Sequence, residues 1–472
     1  MANEERATGM RRTAEGSLKK WFGGRKRHPL VIRGARQVGK STLVREFAAR
    51  EGLVLNEINL YRNLDLTKAF RSLDPERICQ EISDRLSRDV RRPGSLLFLD
   101  EIQAIPEAID ALRYFCEEMP GLAVVSAGSL LEFALARHGF SMPVGRVEYM
   151  FMGPVSFGEF VAEADGYLAE LLDAEKLREG LSETAHGRLM ELVRRFMLVG
   201  GMPEAAQAWL DSHDMVEVSA VHRRILDTYV DDFAKYAGGT DLALMQGILR
   251  TVPARVGEKV KYVRYSREHK AAKVAGILDL FAKARIVCPV THSDAGGIPL
   301  GAQERPEVRK LLFLDVGLMN HANGLSWSRL AGMDDVELVN EGAVAEQFVG
   351  QHLFFRGGDF EFPRLHYWLR EGAKNNAEVD YVVEAGAEVV PVEVKAGASG
   401  SLKALRQMML EKRLERAVRF DAGRHGVQHV PLGEAGGFEL ESWPLYAVGC
   451  DWEKVGSGDV RGAGGGRGGR GR

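Results

Sequence analysis

The sequence predicts an α/β protein with a parallel sheet near its amino terminus, a helical middle segment and a second α/β unit near its carboxyl terminus. Three observations predict this architecture. Short apolar runs alternate with helical stretches between residues 28 and 155, which is typical of a parallel sheet buried on both faces. Apolar residues then recur with helical spacing as far as about residue 285. A helix followed by three strand-like runs occupies residues 336–450.

The composition fits a multidomain protein that is not embedded in a membrane. The chain has 472 residues, of which 45% are hydrophobic and 27% charged, with a formal net charge of −3 and a mean hydropathy of −0.17. No apolar run is long enough to span a bilayer, and the first residues lack a secretory signal, so we expect a cytoplasmic protein. The four cysteines are far apart, which argues against a zinc site or a disulfide framework.

Six segments follow one another along the chain. They are an N-terminal helix or extension (1–27), a sheet domain (28–155), a helical lid (156–240), a winged-helix-like segment (241–335), a second α/β domain (336–450) and a Gly/Arg-rich tail (451–472). The predicted strands of the first sheet are LVIRG, LVLNEINL, LLFLDE and LAVVSAG. The tail contains too few apolar residues to fold, so we expect it to be disordered.

The winged-helix interpretation depends on one stretch, ARIVCPVTHSDAGGIPL, which reads as a strand pair around a Gly-Gly turn. Helices followed by such a pair are typical of a winged helix. An ordinary hairpin packed against helices is an equally good interpretation of the pattern.

The strongest motif is GARQVGKST, which matches GxxxxGK[ST] between an apolar strand and a helical run. Backbone N–H groups of such a loop hold phosphate oxygens, and the helix N-terminus adds positive potential. We therefore expect an ATP site in which Lys40 reaches the β- and γ-phosphates and Ser41 contacts Mg²⁺. The alternative is a glycine-rich turn with an incidental lysine. The candidate nucleotide-binding residues are Gly34, Ala35, Arg36, Gln37, Val38, Gly39, Lys40, Ser41 and Thr42.

A second motif, LLFLDE, is an apolar strand that ends in two carboxylates. In this position Asp100 is expected to order the Mg²⁺ shell, and Glu101 to position or deprotonate the attacking water. Ser129 is a candidate γ-phosphate sensor, although the following sequence also suits a helix N-cap. Arg146 is a candidate arginine finger acting on a neighbouring subunit, a sensor within its own subunit, or a surface arginine.

A hairpin near the carboxyl terminus, AEVDYVVEAGAEVVPVEVKAG, brings acidic residues together. A two-residue type II′ turn at Gly386-Ala387 pairs residues whose numbers sum to 773. Asp380 then lies opposite Glu393, and Glu378 lies opposite Lys395, all on one face. A loop one residue longer would separate these groups.

Opposed carboxylates repel unless a cation lies between them, so Asp380 and Glu393 are candidate metal ligands. The spacing Asp-x(12)-Glu-x-Lys resembles the core of PD-(D/E)xK nucleases, in which a lysine such as Lys395 orients or activates water. Glu346 on the preceding helix is a candidate further ligand. The alternative is a solvated face on which Lys395 pairs with Glu378.

Several motifs together resemble one family, and they cover most of residues 20–410. They are GARQVGKST, LLFLDEIQ, SAGSLLEF, VGRVEYMFMGPVSFGEF, VGGMPEA, RRILDTYVDDFAKYAG, LLFLDVGLMNHANGL and AEVDYVVE…VVPVEVKAG. The chain is similar to bacterial and archaeal AAA-plus ATPases of ORC-like, AAA_14 type that carry a C-terminal domain of unknown function 4143. This resemblance implies a P-loop NTPase domain, a winged-helix-like segment and a restriction-endonuclease-like fold. The Gly/Arg-rich tail lies outside the family pattern.

Two functional hypotheses follow. The first is a Mg²⁺-dependent ATPase whose nucleotide state controls a nuclease-like or DNA-binding module; the second is an ATP-dependent switch or scaffold that binds a protein partner and cuts nothing. A small-molecule kinase fits poorly because of the large C-terminal extension. DNA or RNA is a candidate partner, supported by the basic stretch Lys259–Lys273 and by Arg461, Arg467, Arg470 and Arg472 in the tail. A homo-oligomer is left open.

Overall fold

The structure is a computed structural model that describes residues 9–128, 131, 142–236, 239–325, 341–372, 376–397 and 402–454. It contains two β-sheets joined by helices. The Gly/Arg-rich tail from residue 455 onward, with its four arginines, lies outside the described residues.

The first sheet is parallel throughout, and its strand order is β2-β3-β4-β1-β5. Its strands are β1 (Leu30–Arg33), β2 (Val54–Asn59), β3 (Ser95–Asp100), β4 (Ala123–Ala127) and β5 (Glu148–Phe151). The four strands expected from the sequence are confirmed. Strand β5 was not predicted.

Helices cover both faces of this sheet. They are α1 (Ala14–Phe22), α2 (Lys40–Arg50), α3 (Thr67–Phe70), α4 (Pro75–Leu86) and α5 (Pro106–Glu118). Alternate residues of β3 enter different cores: Phe98 belongs to the core that includes α1 and α2, and Leu99 to the one that includes α4 and α5. This alternation explains why the central strands are apolar along their whole length. The sheet domain is therefore an α/β fold of the P-loop NTPase type.

The middle of the chain is helical, as the sequence predicted. Its helices are α6 (Phe157–Ala164), α7 (Gly166–Glu170), α8 (Ala174–Glu179), α9 (Glu183–Val199), α10 (Pro203–Ser212), α11 (Met215–Tyr236), α12 (Gly239–Thr251) and α13 (Ala271–Lys283). Helix α6 begins with a capping box in which Ser156 and Glu159 satisfy each other's backbone N–H groups. Among the described helices, none combines the length and the apolar character that crossing a bilayer requires.

The second sheet is mixed, and its strand order is β12-β13-β11-β10-β9-β8-β6-β7. Its strands are β6 (Val287–Ser293), β7 (Glu304–Phe313), β8 (Leu365–Arg370), β9 (Ala377–Ala385), β10 (Glu388–Val394), β11 (Arg416–Asp421), β12 (Gly426–Pro431) and β13 (Gly437–Pro444). The helices of this region are α14 (Val316–Ala322), α15 (Glu341–Phe354) and α16 (Lys403–Lys412). The chain therefore has the second α/β domain that the sequence predicted.

Only the first half of the stretch that suggested a wing is a strand, β6 of this second sheet; its partner β7 begins at Glu304, after the stretch ends. Strands β6 and β7 form an antiparallel hairpin, and β6 also pairs in parallel with β8, with Val290 opposite Leu365. Of the two interpretations of this stretch, the structure supports an ordinary hairpin, because β6 is an interior strand of the sheet. The segment boundaries stay predictions. The second sheet contains strands from both sides of the boundary placed at residue 335.

Candidate functional site

The glycine-rich loop connects the end of β1 to the start of α2. Gly39 has φ +92° and Gln37 has φ +66°, so the loop uses the left-handed region twice. At Gly34 an added Cβ would lie 2.3 Å from the carbonyl oxygen of Met152, so only glycine fits there. Residues Gly34 to Thr42 thus form a tight turn that ends at a helix N-terminus, as a phosphate-binding loop requires.

Lys40 lies inside this loop and is 7% exposed. Its Nζ donates hydrogen bonds to the carbonyl oxygens of Gly34 (3.0 Å) and Ala35 (2.7 Å). Burial lowers the pKa of Lys40 to about 8, and the carboxylates of Glu101 and Asp100 offset only part of this effect. The lysine is therefore a desolvated cation held by neutral groups.

Ser41 and Asp100 meet at the carboxyl edge of the first sheet. Ser41 Oγ donates to Asp100 Oδ1 over 2.9 Å, and Asn59 Nδ2 donates to Asp100 Oδ2 over 3.2 Å. Asn59 is opposite Asp100 in the register of β2 and β3. Burial raises the pKa of Asp100, while the hydrogen bond from Ser41 opposes that change. A hydroxyl and a carboxylate at the loop fit Mg²⁺, which takes oxygen ligands and keeps several waters.

Glu101 directly follows β3 and has φ +53°, a left-handed conformation that is uncommon for a residue with a side chain. Gln103 Nε2 donates to Glu101 Oε2 over 2.5 Å, which fixes the carboxylate. The charge of Glu101 partly opposes the lowering of the pKa of Lys40 by burial, so the two groups are close enough to interact electrostatically. Lys40, Ser41, Asp100 and Glu101 are therefore brought together as the sequence suggested.

The other two residues predicted for this centre are not part of the observed cluster. Ser129 lies outside the described residues, so its role stays a prediction. Arg146 precedes β5 and therefore lies at the amino edge of the parallel sheet, opposite the edge that carries the loop. Its Nε donates to Glu117 Oε1 over 2.7 Å, and its side chain is 45% exposed. This location argues against a role within the same subunit and leaves the trans finger a prediction.

Three contacts that the sequence analysis missed hold the loop from outside. Arg36 NH1 binds both carboxylate oxygens of Asp232 on α11, at 2.6 and 2.5 Å, and Tyr229 Oη donates to the carbonyl oxygen of Arg36 over 3.0 Å. Arg12 NH1 donates to the carbonyl oxygen of Val38 over 3.0 Å. The sequence signal for the contact with Asp232 was the group of aspartates in the motif RRILDTYVDDFAKYAG.

The turn between α9 and α10 lies against the start of α14. The buried carboxylate of Asp315 accepts hydrogen bonds from the backbone N–H groups of Gly201 (2.6 Å) and Leu318 (3.0 Å). A Cβ at Gly200 would lie 2.1 Å from Asp315 Oδ1, so the glycine is needed for this approach. Burial raises the pKa of Asp315 to about 6, against the effect of these N–H groups. Asp315 lies two residues after the end of β7, and α11 packs against α14, so this junction links α11 to the second sheet.

The C-terminal hairpin has the expected register. Residues 381–385 pair with 392–388, so paired numbers sum to 773, and Gly386 in the turn has φ +62°. Asp380 Oδ2 accepts a hydrogen bond from the N–H of Val394 over 2.8 Å. Lys395 pairs with Glu393. The register prediction is confirmed.

Lys310 on β7 was not predicted and is the central cation of this region. It is 1% exposed, and its Nζ lies 2.9 Å from Glu346 Oε1 and 2.6 Å from Glu378 Oε1. Burial alone would lower the pKa of Lys310, but Glu346, Glu378 and Asp380 together raise it well above its usual range. The pair between Glu378 and Lys395, which belonged to the alternative interpretation of a solvated face, is not formed, because Glu378 contacts Lys310 and Lys395 contacts Glu393. We call Lys310, Glu346, Glu378, Asp380, Glu393 and Lys395 the acidic cluster.

The acidic cluster bears on the predicted metal site in two ways. Burial, Glu346 and Glu393 raise the pKa of Asp380 well above its usual range, which is typical of crowded carboxyl groups. Glu393 Oε2 is buried, and among the described residues no donor reaches it. However, no group of three or more His, Cys, Asp or Glu side chains in the described ranges is arranged to hold a metal ion. Metal ligation by Asp380 and Glu393 therefore stays a prediction.

The basic stretch from Lys259 to Lys273 is partly neutralised within the chain. Lys259 Nζ lies 2.6 Å from Glu371 Oε1, and Arg264 pairs with Glu258. This reduces the charge available to a nucleic acid.

Family models match three successive parts of the chain. Residues 26–161 match the AAA domain. We call this part of the chain the AAA domain after the model that it matches. Residues 190–329 match the domain of unknown function DUF8612, and residues 341–429 match the domain of unknown function DUF4143. The resemblance to AAA ATPases that carry DUF4143 is thus confirmed, whereas the DUF8612 match was not expected. The search of curated proteins found no match to this chain.

Solved structures give only distant likenesses. The Aeropyrum pernix ORC1 protein in complex with DNA is 13% identical over 70% of this chain and 97% of that chain, with a TM-score of 0.27. The ADP form of the Aeropyrum pernix ORC2 protein is 13% identical over 68% and 94%, with a TM-score of 0.28. A STAND protein with a tetratricopeptide repeat sensor from Pyrococcus horikoshii is 12% identical over 75% and 47%, with a TM-score of 0.27. At these TM-scores the likenesses carry no argument about function.

Proposed function

We propose that the chain is a Mg²⁺-dependent ATPase whose nucleotide state controls its C-terminal domain. The observation that supports this most is the hydrogen bond between Ser41 and Asp100, 2.9 Å long, beside the loop that encloses Lys40. P-loop NTPases hold the metal with a serine or threonine hydroxyl at the start of the helix and a carboxylate at the end of a strand in the same sheet. The AAA domain match over residues 26–161 supports the same assignment.

Each residue of the loop has a proposed role. The backbone N–H groups of residues 34–42 bind the phosphate oxygens of ATP, and Lys40 exchanges its two carbonyl partners for the β- and γ-phosphates. Ser41 and Asp100 hold Mg²⁺, which supplies positive charge to the phosphate oxygens. Glu101 orients a water molecule and accepts its proton as the water attacks the γ-phosphorus, releasing ADP and phosphate.

The contacts of Arg36 provide a route from nucleotide to C-terminal domain. Arg36 belongs to the loop, and its partners Asp232 and Tyr229 lie on α11. Helix α11 packs against α14. The N-cap of α14 is Asp315, which lies two residues after the end of β7. A change in the loop on loss of the γ-phosphate would therefore act on the strand that carries Lys310.

For the C-terminal domain we propose two alternatives: a nuclease-like or DNA-binding module, and a switch or scaffold that binds a protein partner. The unpartnered Glu393 Oε2 and the crowded Asp380 favour a metal-dependent nuclease acting on DNA or RNA. Lys310, buried between Glu346 and Glu378, favours the switch or scaffold that binds a protein partner, because the cluster already contains its own cation.

Steady-state ATP hydrolysis tests the first part of the proposal. With Mg²⁺ present, Lys40→Ala should lower kcat/KM about 100-fold, since it removes a buried charged contact to the substrate. Glu101→Gln should lower kcat and leave ATP binding largely intact. The matched control is Lys26→Ala, an exposed lysine of the same domain. Full turnover by Lys40→Ala would refute the site.

Incubation with DNA or RNA, Mg²⁺ and ATP separates the two candidates for the C-terminal domain. Cleavage that is lost in Asp380→Ala supports the nuclease. Absence of cleavage in every condition, or equal cleavage by the variant, would exclude the nuclease and favour the switch or scaffold.

A further inference from the structure

A cavity that does not include the phosphate-binding loop lies between the two sheets. It has a volume of about 300 Å³. One wall is Arg33, the last residue of β1 and the neighbour of Gly34. The opposite walls are the end of α13 with the start of β6, and residues 362–365 before β8. The cavity thus touches both the AAA domain and the C-terminal sheet.

The lining of this cavity is strongly basic. It contains the cations Arg33, Lys283, Arg285 and Arg364 and one acid, Glu304. The Glu304 carboxylate already contacts Thr291 Oγ1 at 3.4 Å and His366 Nε2 at 3.3 Å. Within the part of the chain that the structure describes, Lys283, Arg285 and Arg364 form no ion pair. Positive charge therefore remains available to a ligand.

Aromatic rings accompany these cations. The guanidinium carbon of Arg285 lies 4.7 Å from the ring centre of Phe362 and 5.5 Å from that of Phe151, and that of Arg364 lies 5.7 Å from the ring centre of Phe362. Phe362 is nevertheless 55% exposed, and the nearby Phe360 is 39% exposed. An exposed ring surrounded by arginines offers a stacking surface and a positive potential in one place.

The backbone presents Arg285 in an unusual way. Arg285 follows α13 and has φ +61°, a position where glycine is usual. The turn is closed by the hydrogen bond from Ile286 N to Phe281 O, 2.9 Å long. A non-glycine residue in this conformation is strained, and such strain is often found at functional sites.

We propose that this cavity, the Arg285 cleft, binds a nucleotide unit in which a free base stacks on Phe362 while its phosphate contacts Arg285 and Arg364. Unpaired nucleic acid strands and free nucleotides both offer this chemistry. A duplex does not, because its bases are already stacked and paired. The cleft is a separate site from the ATP loop, although Arg33 connects the two.

Fluorescence anisotropy with the full-length protein tests the proposal. The probe is a fluorescein-labelled oligothymidylate of about 15 nucleotides, with thymidine monophosphate and duplex DNA as unlabelled competitors. We expect the single strand to bind and to compete better than the duplex. Phe362→Ala and Arg364→Ala should each weaken binding about tenfold. The logarithm of affinity should fall with the logarithm of salt concentration with a slope of about −2, because Lys283 can meet a neighbouring phosphate of the strand in addition to the phosphate held by Arg285 and Arg364.

The controls keep the test independent of folding and of ATP hydrolysis. Tyr167→Ala removes an equally exposed aromatic ring elsewhere, and Arg71→Ala removes an exposed arginine of the AAA domain. Neither should change binding more than twofold. If thymidine monophosphate competes and Phe362→Ala weakens it, the ligand is a free nucleotide and the proposal holds. Single-strand binding that is absent, that survives Phe362→Ala and Arg364→Ala unchanged, or that the duplex matches overturns it.

Discussion

Two buried lysines, each close to carboxylates, have opposite electrostatic surroundings in this molecule. Lys40 donates to two neutral carbonyl groups, and burial lowers its pKa to about 8. Lys310 contacts Glu346 and Glu378, and its pKa is raised despite deeper burial. A buried cation without a paired anion favours an anionic ligand, whereas a paired one is neutralised by the fold. These surroundings support the proposed role of Lys40 in ligand binding and favour a structural role for Lys310.

The largest expected effect is the loss of stability in Lys310→Met. This substitution leaves Glu346, Glu378 and Asp380 without their cation, and breaking a buried ion pair costs about 3–5 kcal/mol. Urea unfolding measures the change. The matched variant Lys40→Met should lose only about 1–2 kcal/mol, because the hydrogen-bond partners that it leaves are two neutral carbonyl groups, and Asp100 and Glu101 act on Lys40 more weakly than burial does. Equal losses in the two variants would contradict the comparison.

The second effect is a pH dependence of ATP binding. With a pKa of about 8 in the free protein, Lys40 is mostly protonated at pH 7 and mostly neutral above pH 8. Bound phosphates favour the protonated form, so binding above pH 8 must take up a proton. Affinity for ATP with Mg²⁺ should fall by nearly tenfold per pH unit above about pH 8.

Calorimetric titration in two buffers of different ionisation enthalpy measures this proton uptake. In Lys40→Met the residual binding should show no such uptake. An affinity of the wild-type protein that stays constant from pH 7.5 to about 9.5 would show that Lys40 does not meet the phosphates.

A smaller effect is expected where the loop contacts α11. Tyr229→Phe removes the hydrogen bond to the Arg36 carbonyl oxygen, worth about 1 kcal/mol, and should change ATP affinity by about fivefold. Hydrogen exchange should show that ATP protects α11 in the wild-type protein and less so in the variant. Tyr167→Phe, on an exposed tyrosine, is the control. Unchanged protection in Tyr229→Phe would exclude this route.

The smallest effect is expected for Arg146→Ala. Its exposed pair with Glu117 should contribute less than about 0.5 kcal/mol to the free energy of unfolding. Turnover by the isolated subunit should change less than twofold, since Arg146 lies at the edge of the sheet away from Lys40. A loss above tenfold that appears only at protein concentrations where subunits associate would instead support the trans arginine finger.

The sequence predicted those parts of the fold that are determined by neighbouring residues, such as strands, tight turns and the glycine-rich loop. The central strands are apolar on both faces, and Gly386 allows the turn that sets the hairpin register. The loop residues followed from the same logic, because a glycine is required wherever a side chain would block the backbone, as at Gly34. Strand β5 was missed because its four residues carry a glutamate and a tyrosine at the sheet edge.

Long-range pairings could not be predicted in this way. In the sequence, Lys310 is the last of several charged residues before the apolar run LLF of β7, and nothing nearby indicates that Glu346 and Glu378 enclose it. The partnership of Arg36 with Asp232 joins residues 196 positions apart. In both cases tertiary packing decides which charges meet.

Equilibrium binding of ATP with Mg²⁺ at pH 7.5 tests the central assignment most directly, in the wild-type protein, Lys40→Met and Glu378→Gln. The account predicts a loss of about 100-fold in Lys40→Met. It predicts a change of less than about twofold in Glu378→Gln, which alters the surroundings of Lys310 alone. Tight binding by Lys40→Met, or an equal loss in both variants, would contradict it.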